Sequence, residues 1–165
     1  PNFDRIKFDV FYRRTGQSFW RELANDLSTN IYSWDTEQMA DGEYEIKIVA
    51  KDSPSNPEAK AEQSSDVSKP FIIDNTGPQI EQINVGNNEN KKMLTFRITD
   101  EWNTLDNVEY SINAGSWKLV YPVDGILDSK VEKFEIALSE SEAQDVAIKA
   151  SDSIDNVTVV HTQIN

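Results

Sequence analysis

Six stretches of this chain alternate apolar and polar residues with a period of two, and that pattern excludes most folds. Ile6, Phe8, Val10 and Tyr12 share one face of the first run. The same alternation recurs over residues 44–48, 94–98, 108–112, 134–138 and 146–150. A period of two places one face of an extended strand in a core and the other in water. Turn-forming pairs separate the runs: Thr15-Gly16, Asp41-Gly42, Asn87-Asn88 and Ala114-Gly115. Many short strands at even spacing predict an all-β sandwich. Ser139 and Glu142 have the spacing of a capping box, which fits one helical turn between strands.

An internal repeat sets the number of modules. Ala50-Lys51-Asp52-Ser53-Pro54-Ser55-Asn56 aligns with Ala150-Ser151-Asp152-Ser153-Ile154-Asp155-Asn156, sharing Ala, Asp, Ser and Asn at equal offsets. Ile48 then falls on Ile148, Ile46 on Val146 and Tyr12 on Ile112, and in both copies a Gly and then a Trp follow (Gly16 and Trp20, Gly115 and Trp117). Two copies of one unit of about 100 residues account for this. The second copy has about 23 residues, two strands' worth, with no counterpart in the first. The expected organisation is a truncated sandwich over 1–76, lacking its two N-terminal strands, followed by a complete one over 77–165. The joining Asn75-Thr76-Gly77-Pro78 is a short turn rather than a flexible linker.

Composition narrows the function classes. The chain carries a formal charge of -13, with 14 acidic residues against 9 basic up to Thr76 and 15 against 7 beyond it. Both halves repel phosphate, so no nucleic-acid partner is expected. Cysteine is absent, which removes disulfide staples and thiolate chemistry. No apolar run reaches the ~18 residues of a membrane span. Pro1-Asn2-Phe3-Asp4 lacks the basic start and apolar stretch of an export signal, so an exported parent is expected to carry its signal upstream.

Several motifs carry a family likeness. Phe11-Tyr12-Arg13, Phe19-Trp20-Arg21-Glu22-Leu23, Tyr32-Ser33-Trp34-Asp35-Thr36 and Asp41-Gly42-Glu43-Tyr44-Glu45-Ile46 resemble bacterial modules of fibronectin type III or immunoglobulin-like type. Val108-Glu109-Tyr110-Ser111, Gly115-Ser116-Trp117 and Pro122-Val123-Asp124-Gly125-Ile126 are similar to modules that follow β-propeller repeats in large exported bacterial proteins. A related pattern occurs in the sandwich that closes the periplasmic propeller of some hybrid sensor kinases. The resemblance implies an extracytoplasmic bacterial protein and a non-catalytic spacer or docking tandem. Its implied partner is an upstream domain of the same polypeptide, such as a β-propeller. A glycan or protein ligand, or a place in a sensor ectodomain, is the alternative. The resemblance further implies that Tyr44 is a tyrosine corner, its phenol bonded back to the backbone. The second copy has Gln144-Asp145-Val146 there and no tyrosine.

The candidate site residues each have a plain structural reading beside the functional one. His161 is the sole histidine, near Ser153 and Asp155 in sequence, but no strained nucleophile turn accompanies it, and no catalytic residue is expected. The acids alternate with apolar residues as a solvated strand face does, rather than pairing as in a glycosidase cleft. Trp20, Trp34 and Trp117 sit in strand patterns and are expected in or near cores, whereas Trp102 and Glu101 lie in a loop and form the candidate ligand-binding pair. A calcium site drawn from Asp74, Asp100, Asp152 and Asp155 is the candidate cation site, expected to be weak. The competing expectation is that Asp52, Asn56, Asp152 and Asn156 hold turns by bonding backbone amides, which accounts for the motif occurring twice. No other cofactor is expected.

Overall fold

The structure is a computed structural model that describes residues 5–52, 55–56, 60–88, 91–138 and 144–164. Among them are twelve β-strands and no α-helix, every ladder antiparallel, so the chain is all-β. It divides into two compact units, Pro1–Asp74 and Asn75–Asn165.

The first unit is built on one sheet. Strands β1 (Lys7–Arg14), β2 (Arg21–Leu27), β3 (Gly42–Lys51) and β4 (Gln63–Val67) run in the order β2-β1-β3-β4, and β5 (Phe71–Ile73) also pairs with β3. Thus β4 and β5 divide one edge of β3, β4 facing Lys47 to Lys51 and β5 facing Gly42 to Tyr44. Pro70 lies in the gap, where a missing ladder amide costs nothing. Ser68 bridges the gap, its amide donating to Ile46 O (2.8 Å) and its hydroxyl accepting from Ile46 N (3.0 Å).

Among the described residues, the inward face of this sheet is covered unevenly. At one end Trp34 packs at 5.0 Å from the Tyr12 ring and edge-on to Phe71 at 6.4 Å, and Tyr44 and Ile73 are buried in this unit. The other end is an apolar groove of about 350 Å³ with Phe8, Leu23, Ile46 and Ile48 in its lining. Ile48 is 45% exposed and the nearby Ile6 48%.

The second unit has two sheets. Strands β6 (Gln79–Asn88), β7 (Lys91–Thr99) and β10 (Val131–Leu138) form one, ordered β10-β7-β6; β8 (Leu105–Ile112), β9 (Lys118–Leu119), β11 (Gln144–Asp152) and β12 (Val157–Ile164) form the other, ordered β12-β11-β8-β9. The sheets share one core, sandwich-like: Leu94, Phe96, Ile98, Phe134 and Ile136 from the first meet Val108, Val146 and Ile148 from the second. Strand β10 shows why a period of two works, since Glu132, Phe134, Ile136 and Leu138 are buried and the residues between them exposed. The Phe96 and Phe134 rings stack at 5.1 Å, and each buried ring or aliphatic chain contributes about 1.5–3 kcal/mol by leaving water.

The repeat holds at the level of individual ladder pairs. Val146 opposes Ile112, Ile148 opposes Tyr110 and Ala150 opposes Val108 between β11 and β8. Between β3 and β1 the pairs are Ile46 with Tyr12, Ile48 with Val10 and Ala50 with Phe8. Subtracting one hundred from the first set gives the second.

Some expectations need correction. Trp34 lies in no strand, because residues 28–36 find no ladder partner among the described residues. Trp20 and Trp117 immediately precede β2 and β9 rather than lying within them, and Trp117 is 42% exposed. Asn87 and Asn88 are not a turn: β6 continues through both, pairing them with Lys92 and Lys91. The helical turn expected at Ser139 and Glu142 falls outside the described residues.

Candidate functional site

The candidate site of the second unit is the loop pole where β7 leads into β8 and β11 turns into β12. Alternation ends at Asp152, a carboxylate on an inward-facing position, and the chain must reverse within four residues. Asp152 is fully buried and makes that reversal possible. Its Oδ1 accepts from the amides of Ile154 and Asn156, both at 2.9 Å, and its Oδ2 accepts from Asn156 Nδ2 at 2.9 Å. Three of the roughly four lone-pair positions of a carboxylate are thereby occupied. Asp155 takes the left-handed conformation (φ 69°) that the turn demands, which Asp tolerates better than most residues.

The neighbouring loop is tied to this turn. Ser153 N donates to Thr104 O at 3.0 Å. Asp100 Oδ1 accepts from the amides of Trp102 (2.9 Å) and Asn103 (2.7 Å), an Asx-type brace. Lys130 Nζ donates to Glu101 O at 3.0 Å. The expected ligand pair is therefore placed as follows: Glu101 is exposed with its carbonyl engaged, and Trp102 is half-buried rather than an open shelf. Within the second unit, carboxylate oxygens of Asp100 and Asp152 lie within 4.8 Å of each other, while Asp155 stands outside that group. Acidic oxygens gathered in this way do not by themselves make a cation site, and those of Asp152 are largely committed to backbone. His161 is exposed on β12 opposite Ala147.

The first unit repeats the brace in altered form. Asn56 Nδ2 donates to Asp52 Oδ2 at 2.7 Å, as Asn156 does to Asp152. Asp52 Oδ1 accepts instead from the amide of Glu62 at 2.7 Å, ten residues on, because the loop before β4 is longer. In both copies the asparagine amide steadies the aspartate, and the aspartate holds the backbone. Tyr44, buried at the start of β3, donates its hydroxyl to Ala40 O at 2.7 Å, four residues back. Gly42, two residues before it, has φ 153°, and a Cβ there would stand 2.8 Å from the Arg14 guanidinium.

Three features carried no signal strong enough to single them out in the sequence. On the outward face of the first sheet, buried Asp9 pairs with Lys51 and accepts from Asp26 N (3.1 Å), where β2 has a residue at φ 51°. The Lys51 ammonium holds the Asp9 carboxyl below its ordinary range, opposed by burial and assisted by the Asp26 amide; Asp9 in turn raises Lys51. Lys47 Nζ sits 4.9 Å from the Trp20 ring centre and Lys149 Nζ 4.8 Å from that of Trp117, cation–π contacts duplicated between the units. The Gly-then-Trp spacing of each copy was the available clue. Last, Glu132 is buried, and its Oε1 has no hydrogen-bond partner among the described residues.

No protein family, curated protein or solved structure matches this chain.

Proposed function

We propose that this chain is a non-catalytic tandem of fibronectin-III or immunoglobulin-like sandwiches, the first lacking two N-terminal strands, acting as a spacer or docking segment of a larger exported bacterial protein. One observation carries this reading. In both units the polar residues of the repeated motif are spent on holding turns, with Asn56 on Asp52 and Asn156 on Asp152. A motif that recurs because a turn needs it is the mark of a structural module. The strand orders β10-β7-β6 and β12-β11-β8-β9 support the sandwich assignment, since a three-on-four antiparallel arrangement with crossing connections belongs to that architecture. Export and a bacterial source rest on the sequence resemblance alone, as does an upstream β-propeller partner. Among the described residues no helix is long and apolar enough to cross a membrane.

The test is a pair of assays on the purified chain. Hydrolysis of ester and glycoside substrates, and affinity electrophoresis in a panel of polysaccharides, should both give nothing above buffer. Turnover or retardation that disappears in Asp100→Ala or Trp102→Ala overturns the reading.

A further inference from the structure

We propose that the open face of the first unit is completed by a two-stranded β-hairpin from the polypeptide preceding residue 1, and that its docking converts residues 31–36 into a strand. This rests on the module reading above and names the partner that reading requires. The second unit shows what covers such a face. Val108, Val146 and Ile148 are 1%, 0% and 0% exposed because β7 and its neighbours lie over them. At the matching ladder positions of the first unit, Phe8 and Ile46 are half-buried and Ile48 is 45% exposed. The two sheets have the same register, so the difference is one of cover and not of side-chain placement.

Residues 31–36 give an independent indication. One hundred residues on, 131–136 belong to β10, which is a strand through its ladder with β7, from Val131 opposite Thr99 to Leu138 opposite Lys92. Phe134 stacks there on Phe96 of β7. Trp34 occupies the corresponding place and, with no Phe96 equivalent, packs on Tyr12 and Phe71. Ile31 is left 78% exposed and Tyr32 43%, against the groove they help to line. An apolar segment without a ladder beside an apolar face without a lid calls for one occupant that supplies both: an edge to pair with 31–36 and inward side chains to fill the groove.

The repeat also fixes where that occupant enters the chain. In the second unit the hairpin of β6 and β7 ends at Thr99, and five residues separate it from β8 at Leu105. Subtracting the repeat offset of one hundred from Thr99 puts the end of the covering hairpin just before residue 1. A hairpin so tethered docks as an intramolecular event at high effective concentration, which an unlinked strand does not match. Its inward residues should be large and apolar, as Leu94, Phe96 and Ile98 are in β7.

The experiment compares the 165-residue chain with the gene's own chain extended by about 50 upstream residues, more than the roughly 23 that two strands and their turn require. Amide hydrogen exchange at residues 31–36 should slow at least 100-fold in the extended chain, and binding of a hydrophobic dye should fall to background. Ile48→Ser should lower the urea midpoint markedly in the extended chain and little in the shorter one. Equal exchange at 31–36 in both chains overturns the proposal. So does protection that appears in the shorter chain on self-association, measured by light scattering, since a second copy is then the occupant. These readouts do not involve the second unit's loops, so they fail separately from the hydrolysis and polysaccharide assays.

Discussion

Replacing Tyr44 by phenylalanine isolates one hydrogen bond, and its cost follows from the geometry. The side chain is 4% exposed and its ring contributes to the aromatic end of the first unit, 6.4 Å from Tyr12. Phenylalanine keeps the ring and loses only the donor to Ala40 O at 2.7 Å. A neutral intramolecular hydrogen bond is worth about 1 kcal/mol net, rising towards about 3 kcal/mol when a buried partner is left unsatisfied. Ala40 is exposed, so water replaces the lost donor and the lower figure applies. With a urea m-value of about 1 kcal/mol/M for a unit this small, the midpoint should fall by about 1 M. Equilibrium unfolding followed by tryptophan fluorescence reads this, because Trp34 packs against Tyr12. Tyr32→Phe is the control: that ring is 43% exposed and its bond to Leu23 O is 3.3 Å, so the change should be within error. A Tyr44→Phe midpoint equal to wild type at unchanged m, or a Tyr32→Phe loss as large, refutes the tyrosine-corner account.

Asp152→Ala should cost the second unit about 3 kcal/mol, since it strands two backbone amides and the Asn156 amide around a buried position, whereas half-buried Asp52→Ala should cost about 1 kcal/mol; urea melts compare the two. Glu132→Leu should stabilise the second unit by about 1 kcal/mol, because it removes a buried carboxyl with an oxygen unpartnered among the described residues, and a lower melting temperature for this variant contradicts that. Asp9 is depressed below 3.8 in the folded state, so its contribution is present above that value and is lost as pH falls through the folded value. Asp9→Asn should therefore flatten the acid limb of the first unit's stability. Lys51 is raised above 10.5, so its share is complete below that pH and disappears as pH rises through the folded value.

The strands that sequence reveals are those with one face in a core. Phe134, Ile136 and Leu138 announce β10 because burial sorts them from their neighbours. Strand β4, Gln63–Val67, gives no such signal, since all five residues are exposed and only the ladder with β3 makes them a strand. Strand β2 is similarly opaque: Arg21–Leu27 is an edge strand with a residue of positive φ, set by pairing with β1 and the Asp9 bond to Asp26. At the loop poles, the Asp–Asn pair could be read because it occurs twice and its chemistry is local. The half-burial of Trp102 could not, because it depends on how Asp100 turns the loop backbone.

The two copies also separate local from long-range causes of structure. Ladder register and the Asp–Asn brace survive in both, although the first unit has one sheet and the second two. Each of these rests on residues close in sequence or on a single pair of strands. The strand at 131–136 and the filled core above it require β7, and where no described strand plays that part, 31–36 stays irregular with Ile31 in water. Sequence similarity between 31–36 and 131–136 would not have sufficed, because β-structure here is a property of the pair rather than of the segment. Supplying a partner strand should therefore change the conformation of residues 31–36 without altering the register of β1 on β3, which the backbone ladder already fixes.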